Sequence, residues 1–288
     1  MAIFGEVSTA MVTPFDQNGE VDLERVTALV EYLLLNGSDS LVVAGTTGES
    51  PTLSKNEKIQ LFRHVVRVVD KRVPVIAGTG SNNTKETLAL TMAAEDAGVD
   101  AIMLVAPYYN KPNQEGLYEH FVTVANATEL PVMIYNVPGR TVTNIMPATV
   151  IRLSKVSNIV AVKEASGDLG AMTEIIAGTD DDFALYSGDD GLTLPALSIG
   201  AVGVISVAAH VIGKEMQEMV AAYFSGDLKK AAKLHQELSP IMDGLFMAPN
   251  PTPVKTALNI RGVDVGGVRL PLVALTAAEK ANLMALFT

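Results

Sequence analysis

One short apolar run of this 288-residue chain, Ile159-Val160-Ala161-Val162, leads directly into a lysine, Lys163. Lysine is rarely buried without a partner or a function. In an apolar setting its ammonium loses a proton more readily, and the free amine attacks carbonyl carbon to form an imine. The alternatives are a side chain that snorkels to solvent or pairs with Glu164, and position alone leaves both open. Other residues with chemical potential also follow apolar runs. Tyr135 closes the run 132–135, where a phenol could relay protons once its pKa is tuned; its type alone is equally that of an ordinary strand aromatic. Thr46 and Thr47 stand between Gly45 and Gly48. Two hydroxyls with nearby backbone N–H groups make a carboxylate cradle, and the glycines would let a ligand approach closely, although a plain turn has the same composition. Arg140 follows Pro138-Gly139; a guanidinium suits bidentate carboxylate recognition, while most arginines simply sit on the surface.

Other chemistries find little support. The chain has no cysteine, which excludes disulfides, thiolate metal sites and a cysteine nucleophile. Its four histidines (His64, His120, His210, His235) lack the i, i+4 spacing of a helical metal pair, so no metal is expected. Asp189-Asp190 reads as a helix start. No P-loop or GxGxxG follows a run, so no organic cofactor is expected. The formal charge is −11, from 21 basic and 32 acidic residues, with no basic cluster to grip nucleic acid. No apolar run is long enough for a membrane helix, and the first residues lack the pattern of a secretory leader. The expected location is the cytoplasm.

The elements that must position these residues alternate. Eight β-branched, nearly continuous apolar runs (7–12, 40–44, 73–77, 101–105, 132–135, 159–163, 183–186 and 203–207) suit strands covered on both faces. Between them lie amphipathic stretches. Residues 22–35 and 55–69 carry apolar side chains at helical spacing, the second opened by a Ser54–Glu57 capping box. Residues 84–97 read as a helix with Thr84 as N-cap and Gly98 as stop signal. Alternation of this kind predicts a parallel sheet, and eight units predict a closed (β/α)₈ barrel; a doubly wound open sheet is the competing fold. Helical patterns at 215–224, 228–245, 252–258 and 277–286 end the chain. The expected organisation is a catalytic barrel over 1–225 and a helical extension over 226–288. Barrel sites lie where strands end, which is where GTTGES (45–50), PYYNKP (107–112), YNVPGRT (135–141), Lys163 and YSGDD (186–190) fall.

These motifs, in this order over essentially the whole chain from AMVTPF (10–15), resemble those of the dihydrodipicolinate synthases, within the N-acetylneuraminate lyase superfamily of class I aldolases. The resemblance implies a (β/α)₈ barrel with a C-terminal helical extension, no metal or organic cofactor, and a place in lysine and diaminopimelate biosynthesis. It makes Lys163 the Schiff-base residue for pyruvate, Tyr135 the proton donor and acceptor, and Thr46 a relay between Tyr135 and Tyr109. Thr47 would hold the pyruvate carboxylate, Arg140 the carboxylate of aspartate semialdehyde, and Gly188 and Ile205 would line the site. Tyr109 would come from a partner subunit, so a homo-oligomer, dimer or homotetramer, is implied. Many such synthases are inhibited by lysine at the dimer interface. Asn82, Glu86 and Tyr108 match that site, and Ser50 stands in it, but Ser50-Pro51, Lys55 and Lys58 depart from the sensitive pattern, which has histidines where these lysines stand. Weak or absent inhibition is expected. Sialic-acid lyases and 2-keto-3-deoxy-acid aldolases share the lysine, the tyrosine and GxxGE; the Thr46-Thr47 pair and the position of Arg140 favour the synthases. A non-catalytic keto-acid binder and a metal-dependent class II aldolase are the readings from other classes.

Overall fold

In the computed structural model, which describes residues 2–287, the eight apolar runs are eight parallel strands that close into a barrel in chain order, with β1 beside β8. They are β1 (Val7–Ala10), β2 (Ser40–Val43), β3 (Val75–Gly78), β4 (Ala101–Val105), β5 (Val132–Asn136), β6 (Ile159–Glu164), β7 (Ala184–Ser187) and β8 (Gly203–Ser206). Around them run α1 (Leu23–Leu35), α2 (Lys55–Val69), α3 (Thr84–Asp96), α4 (Gln114–Ala125), a single turn α5 (Pro138–Thr141), α6 (Pro147–Leu153), α7 (Leu169–Gly178), α8 (Thr193–Ser198) and α9 (Ala209–Phe224). The C-terminal helices are α10 (Leu228–Gly244), α11 (Thr252–Ile260) and α12 (Ala277–Ala285). The closed sheet replaces the open-sheet alternative.

Alternation along each strand sorts side chains into two cores. Leu41, Val43, Ile102, Leu104, Val132, Ile134, Val162 and Val204 face the helices. Val42, Ile76, Met103, Met133, Tyr135, Ala161, Ala184, Tyr186 and Ile205 fill the barrel interior. Phe4 joins the interior core ahead of β1, and its N–H donates to the Tyr186 hydroxyl at 3.0 Å. The Tyr186 phenol therefore faces the N-terminal end of the barrel, and burial pushes its pKa up to about 12. Small residues at Ala161 and Ala184 leave room for the larger interior side chains.

Two local expectations change. The N-cap of α3 is Asn83, whose side chain accepts from the N–H groups of Lys85 and Glu86; Thr84 is the first helical residue, and its hydroxyl bonds His120 Nδ1 at 2.9 Å. Asparagine competes well for that position because its carbonyl reaches two free N–H groups. Helix α9 starts at Ala209 rather than 215, since the backbone at Ile212 leaves helical geometry (φ −132°, ψ 35°) and interrupts the periodicity of its first turns. The Ser54–Glu57 capping box forms with both halves in place.

Candidate active site

Lys163 lies two residues after Ala161, so the strand's alternation turns it into the barrel. It is 5% exposed. Neither alternative reading holds. Glu164 faces the opposite side of the sheet, where its carboxylate accepts from Asn136 Nδ2 at 2.9 Å and from the N–H of Ser166 at 2.7 Å. Desolvation lowers the Lys163 pKa to about 8, with the Arg140 charge acting in the same direction and Asp190 opposing both.

Tyr135 is the register partner of Lys163 across β5 and β6, and the Lys163 Nζ lies 4.3 Å from its ring centroid. Burial raises the phenol's pKa, a shift opposed by a hydrogen bond with Thr46 and by the Arg140 charge. Amine and phenol thus meet at the C-terminal ends of the adjacent strands β5 and β6, and the Thr46 hydroxyl reaches the phenol from the loop after β2. Arg140 sits on α5, exposed and near enough for its charge to act on both Tyr135 and Lys163. Ile205 belongs to the same interior core as Tyr135.

Gly188 follows β7 because of the lysine. A Cβ there would stand 3.0 Å from Lys163 Cε and 2.7 Å from Ala165 Cβ, so any side chain would displace the Lys163 stem. The expectation for Gly48 needs correction. Its missing side chain does not admit a ligand; a Cβ would meet the Met11 carbonyl oxygen and the Ala44 Cα at 3.1 Å. The glycine lets the loop after β2 fold back onto its own strand.

A cleft of about 1030 Å³ opens over this end of the barrel. Thr46, Tyr135 and Arg140 line one part of it, and Ser50, Lys58, Glu86 and Tyr108 another. Asn82 supports that second part, its side-chain N–H donating to the Tyr108 carbonyl at 3.2 Å. Tyr109 also borders the cleft, yet it is 87% exposed and held at φ +72°. A left-handed backbone costs a non-glycine residue about 1–3 kcal/mol, so the loop holds this ring outward against a local penalty. Thr47 is buried, and its hydroxyl accepts from Asn250 Nδ2 at 3.0 Å. It lies behind Thr46 and does not itself line the cleft.

Sequence reasoning missed three contributors. Asp190, read as part of a helix start, is fully buried: its carboxylate accepts from the Ser206 hydroxyl at 2.5 Å and from the N–H groups of Val207 and Ala208 at 3.1 and 2.9 Å. Asp189 does the capping, accepting from the Gly191 N–H. Glu49 and Lys255 form an ion pair at 2.6 Å with almost no solvent exposure. A lysine inside an amphipathic helix and a glutamate at the end of GxxGE give no sequence signal that they meet. Among the described residues, no three His, Asp or Glu side chains gather as a group that could hold a metal ion.

A (β/α)₈ barrel carrying a desolvated lysine and a phenol at its C-terminal mouth defines a barrel with an imine-competent centre. The chain belongs to the dihydrodipicolinate synthetase family, whose model matches residues 3–288. It is 63% identical to the 4-hydroxy-tetrahydrodipicolinate synthase of Bacillus subtilis over 281 residues, 97% of each chain. The crystal structure of a Bacillus anthracis dihydrodipicolinate synthase superposes with a TM-score of 0.97 at 63% identity, covering 98% of this chain and 97% of that one. That of the Cyanidioschyzon merolae enzyme, solved with lysine bound, superposes at 0.98 with 46% identity, covering 100% and 98%.

Proposed function

We propose that this protein is a class I, Schiff-base 4-hydroxy-tetrahydrodipicolinate synthase that condenses pyruvate with L-aspartate 4-semialdehyde. The observation that carries the reading is Lys163: a buried amine with its pKa lowered to about 8, in contact with Tyr135. Near-full-length identity to synthases supports the choice of substrates.

The chemistry follows from these groups. The Lys163 amine adds to the keto carbon of pyruvate, and water leaves as Tyr135 moves the protons. The resulting iminium is an electron sink, so the methyl group loses a proton to give an enamine. The enamine carbon attacks the aldehyde of the second substrate. The amino group of that substrate then adds to the imine carbon and expels Lys163. Thr47 donates to the pyruvate carboxylate, and Arg140 reads the carboxylate of the semialdehyde. Tyr109, exposed on its constrained loop, completes the relay through Thr46 in a partner's site, so the working form is a homo-oligomer. Residues 226–288 act as an extension to the catalytic barrel. Among the described residues no helix is long and apolar enough to cross a membrane, which is compatible with a cytoplasmic biosynthetic role.

A coupled assay with pyruvate, aspartate semialdehyde and a dihydrodipicolinate reductase tests the substrate pair. Turnover is expected; its absence, with imine formation intact, would move the reading to the sugar-acid aldolases. In the same assay Arg140→Ala raises KM for the semialdehyde about 10- to 100-fold, the loss of a charged hydrogen-bond pair of about 1.5–3 kcal/mol. Imine formation with pyruvate should persist in that variant, and an unchanged KM would remove Arg140 from the role.

Lysine inhibition is expected to be weak. Lys55 and Lys58 both line the cleft beside Ser50, Glu86 and Tyr108. The Glu86 charge already acts on Lys58, whose pKa burial lowers. A cationic ligand there meets like charge, which costs several kcal/mol at close range, so L-lysine at about 1 mM should leave turnover unchanged. Strong inhibition in a lysine titration would contradict this.

A further inference from the structure

The loop that carries both threonines is held chiefly from the C-terminal end of the chain. Residues 46–49 form one turn, closed by the Glu49 N–H donating to the Thr46 carbonyl at 3.1 Å. The barrel itself supplies Thr13, whose hydroxyl donates to the Gly48 carbonyl at 2.7 Å. Thr46 is bonded to Tyr135 at the end of β5, whereas the anchors of Thr47 and Glu49 come from about 200 residues away. Asn250 Nδ2 donates to Thr47 Oγ1, Lys255 pairs with Glu49, and the Arg269 N–H donates to Glu49 Oε2 at 2.9 Å. Lys255 is itself fixed: its Nζ donates to the Gly267 carbonyl at 2.7 Å and lies 4.0 Å from the Phe15 ring centroid. Glu49 adopts φ +56°, a left-handed backbone that surrounding contacts must hold in place.

A buried ion pair is a poor source of net stability, because desolvating two charges offsets most of their attraction. It does impose geometry. Glu49 ends the turn that begins at Thr46, so fixing its carboxylate restrains the backbone that carries both threonines. Asn250 adds a chemical constraint. By donating to Thr47 Oγ1 it occupies a lone pair and leaves the hydroxyl proton to point elsewhere.

We propose that Lys255, with Asn250, is a positioning residue for pyruvate: α11 and the segments flanking it hold the Thr46–Thr47 turn, through Glu49 and through Thr47 itself, in the one arrangement that receives the pyruvate carboxylate. The inference rests on the reading of Thr47 as the carboxylate-binding residue. It assigns the helical extension a role in substrate binding, beyond covering the barrel. Lys255 touches neither reacting atoms nor substrate; it acts through Glu49.

The test compares Lys255→Met, Asn250→Ala and Thr47→Ala with wild type in the coupled assay, with KM measured separately for each substrate and thermal unfolding followed in parallel. Misplacing a binding group by about 1 Å costs up to about 100-fold. Lys255→Met and Asn250→Ala should raise KM for pyruvate about tenfold or more while KM for the semialdehyde stays within about twofold. A purely structural clamp would lower the unfolding temperature and the yield of active protein without splitting the two KM values, and that result overturns the inference. If Lys255→Met does not fold, Asn250→Ala decides alone: an unchanged KM for pyruvate overturns it. Thr47→Ala separates the two levels. A raised KM for pyruvate there with unchanged clamp variants sinks only the clamp; an unchanged KM in Thr47→Ala removes the carboxylate reading and the clamp with it.

Discussion

Lys163→Ala should lose at least about 10³-fold in kcat, since removing a covalent nucleophile takes away the intermediate on which every later step depends. The fold should survive, because the lysine is an interior side chain with no ion pair or hydrogen bond among the described residues, and its only ring contact is Tyr135. The wild-type pH dependence carries the same signature. With a pKa of about 8, roughly one Lys163 in ten is the free amine at pH 7, against about one in three thousand at the ordinary value. The protonated form cannot attack. Imine formation should therefore rise with pH below 8 and level off above it. A rate that keeps climbing to pH 10 would show that burial does not tune this amine. Residual turnover close to wild type in Lys163→Ala would remove the covalent mechanism altogether.

The second large effect belongs to Tyr135→Phe, expected to lower kcat by about 10²–10⁴-fold, the usual worth of a positioned proton donor. The substitution removes one oxygen and leaves the ring in the interior core beside Met133 and Ile205, so stability should change little. Burial raises this phenol's pKa, which keeps it protonated near neutrality and suits it first to giving a proton. The Thr46 hydrogen bond and the Arg140 charge stabilise the phenolate transiently formed. Single-turnover measurement of imine formation is the direct check. A kcat within a factor of about three of wild type would transfer proton handling to another group.

The barrel was legible because eight β-branched runs alternating with helical patterns admit few topologies. Parity was not. Strands covered on both faces read as continuous apolar runs, so nothing in Ile159-Val160-Ala161-Val162 says which residues face inward. The side on which Lys163 falls emerges only from closure, through its register with Tyr135 and Tyr186. Strand ends placed the loops near the site, and Thr46, Tyr135, Lys163 and Arg140 do converge there. Contacts between distant segments had no local signal. The Glu49–Lys255 pair, the Asn250–Thr47 bond and the seat of Asp190 under β8 depend on how α11 and the loop after β7 pack. Gly48 misled because its composition fits a ligand cradle, whereas its constraint is the Met11 carbonyl. Tyr109 is the reverse case: the chain alone leaves it 87% exposed, so the relay role proposed for it needs a partner subunit.

Reductive trapping addresses the central claim most directly. The protein is incubated with pyruvate and borohydride, digested, and mapped by mass spectrometry. A single adduct is expected, with the mass of a reduced pyruvate imine on the peptide containing Lys163, absent when pyruvate is omitted. An unmodified Lys163 with full activity, or an adduct confined to another lysine, would contradict it.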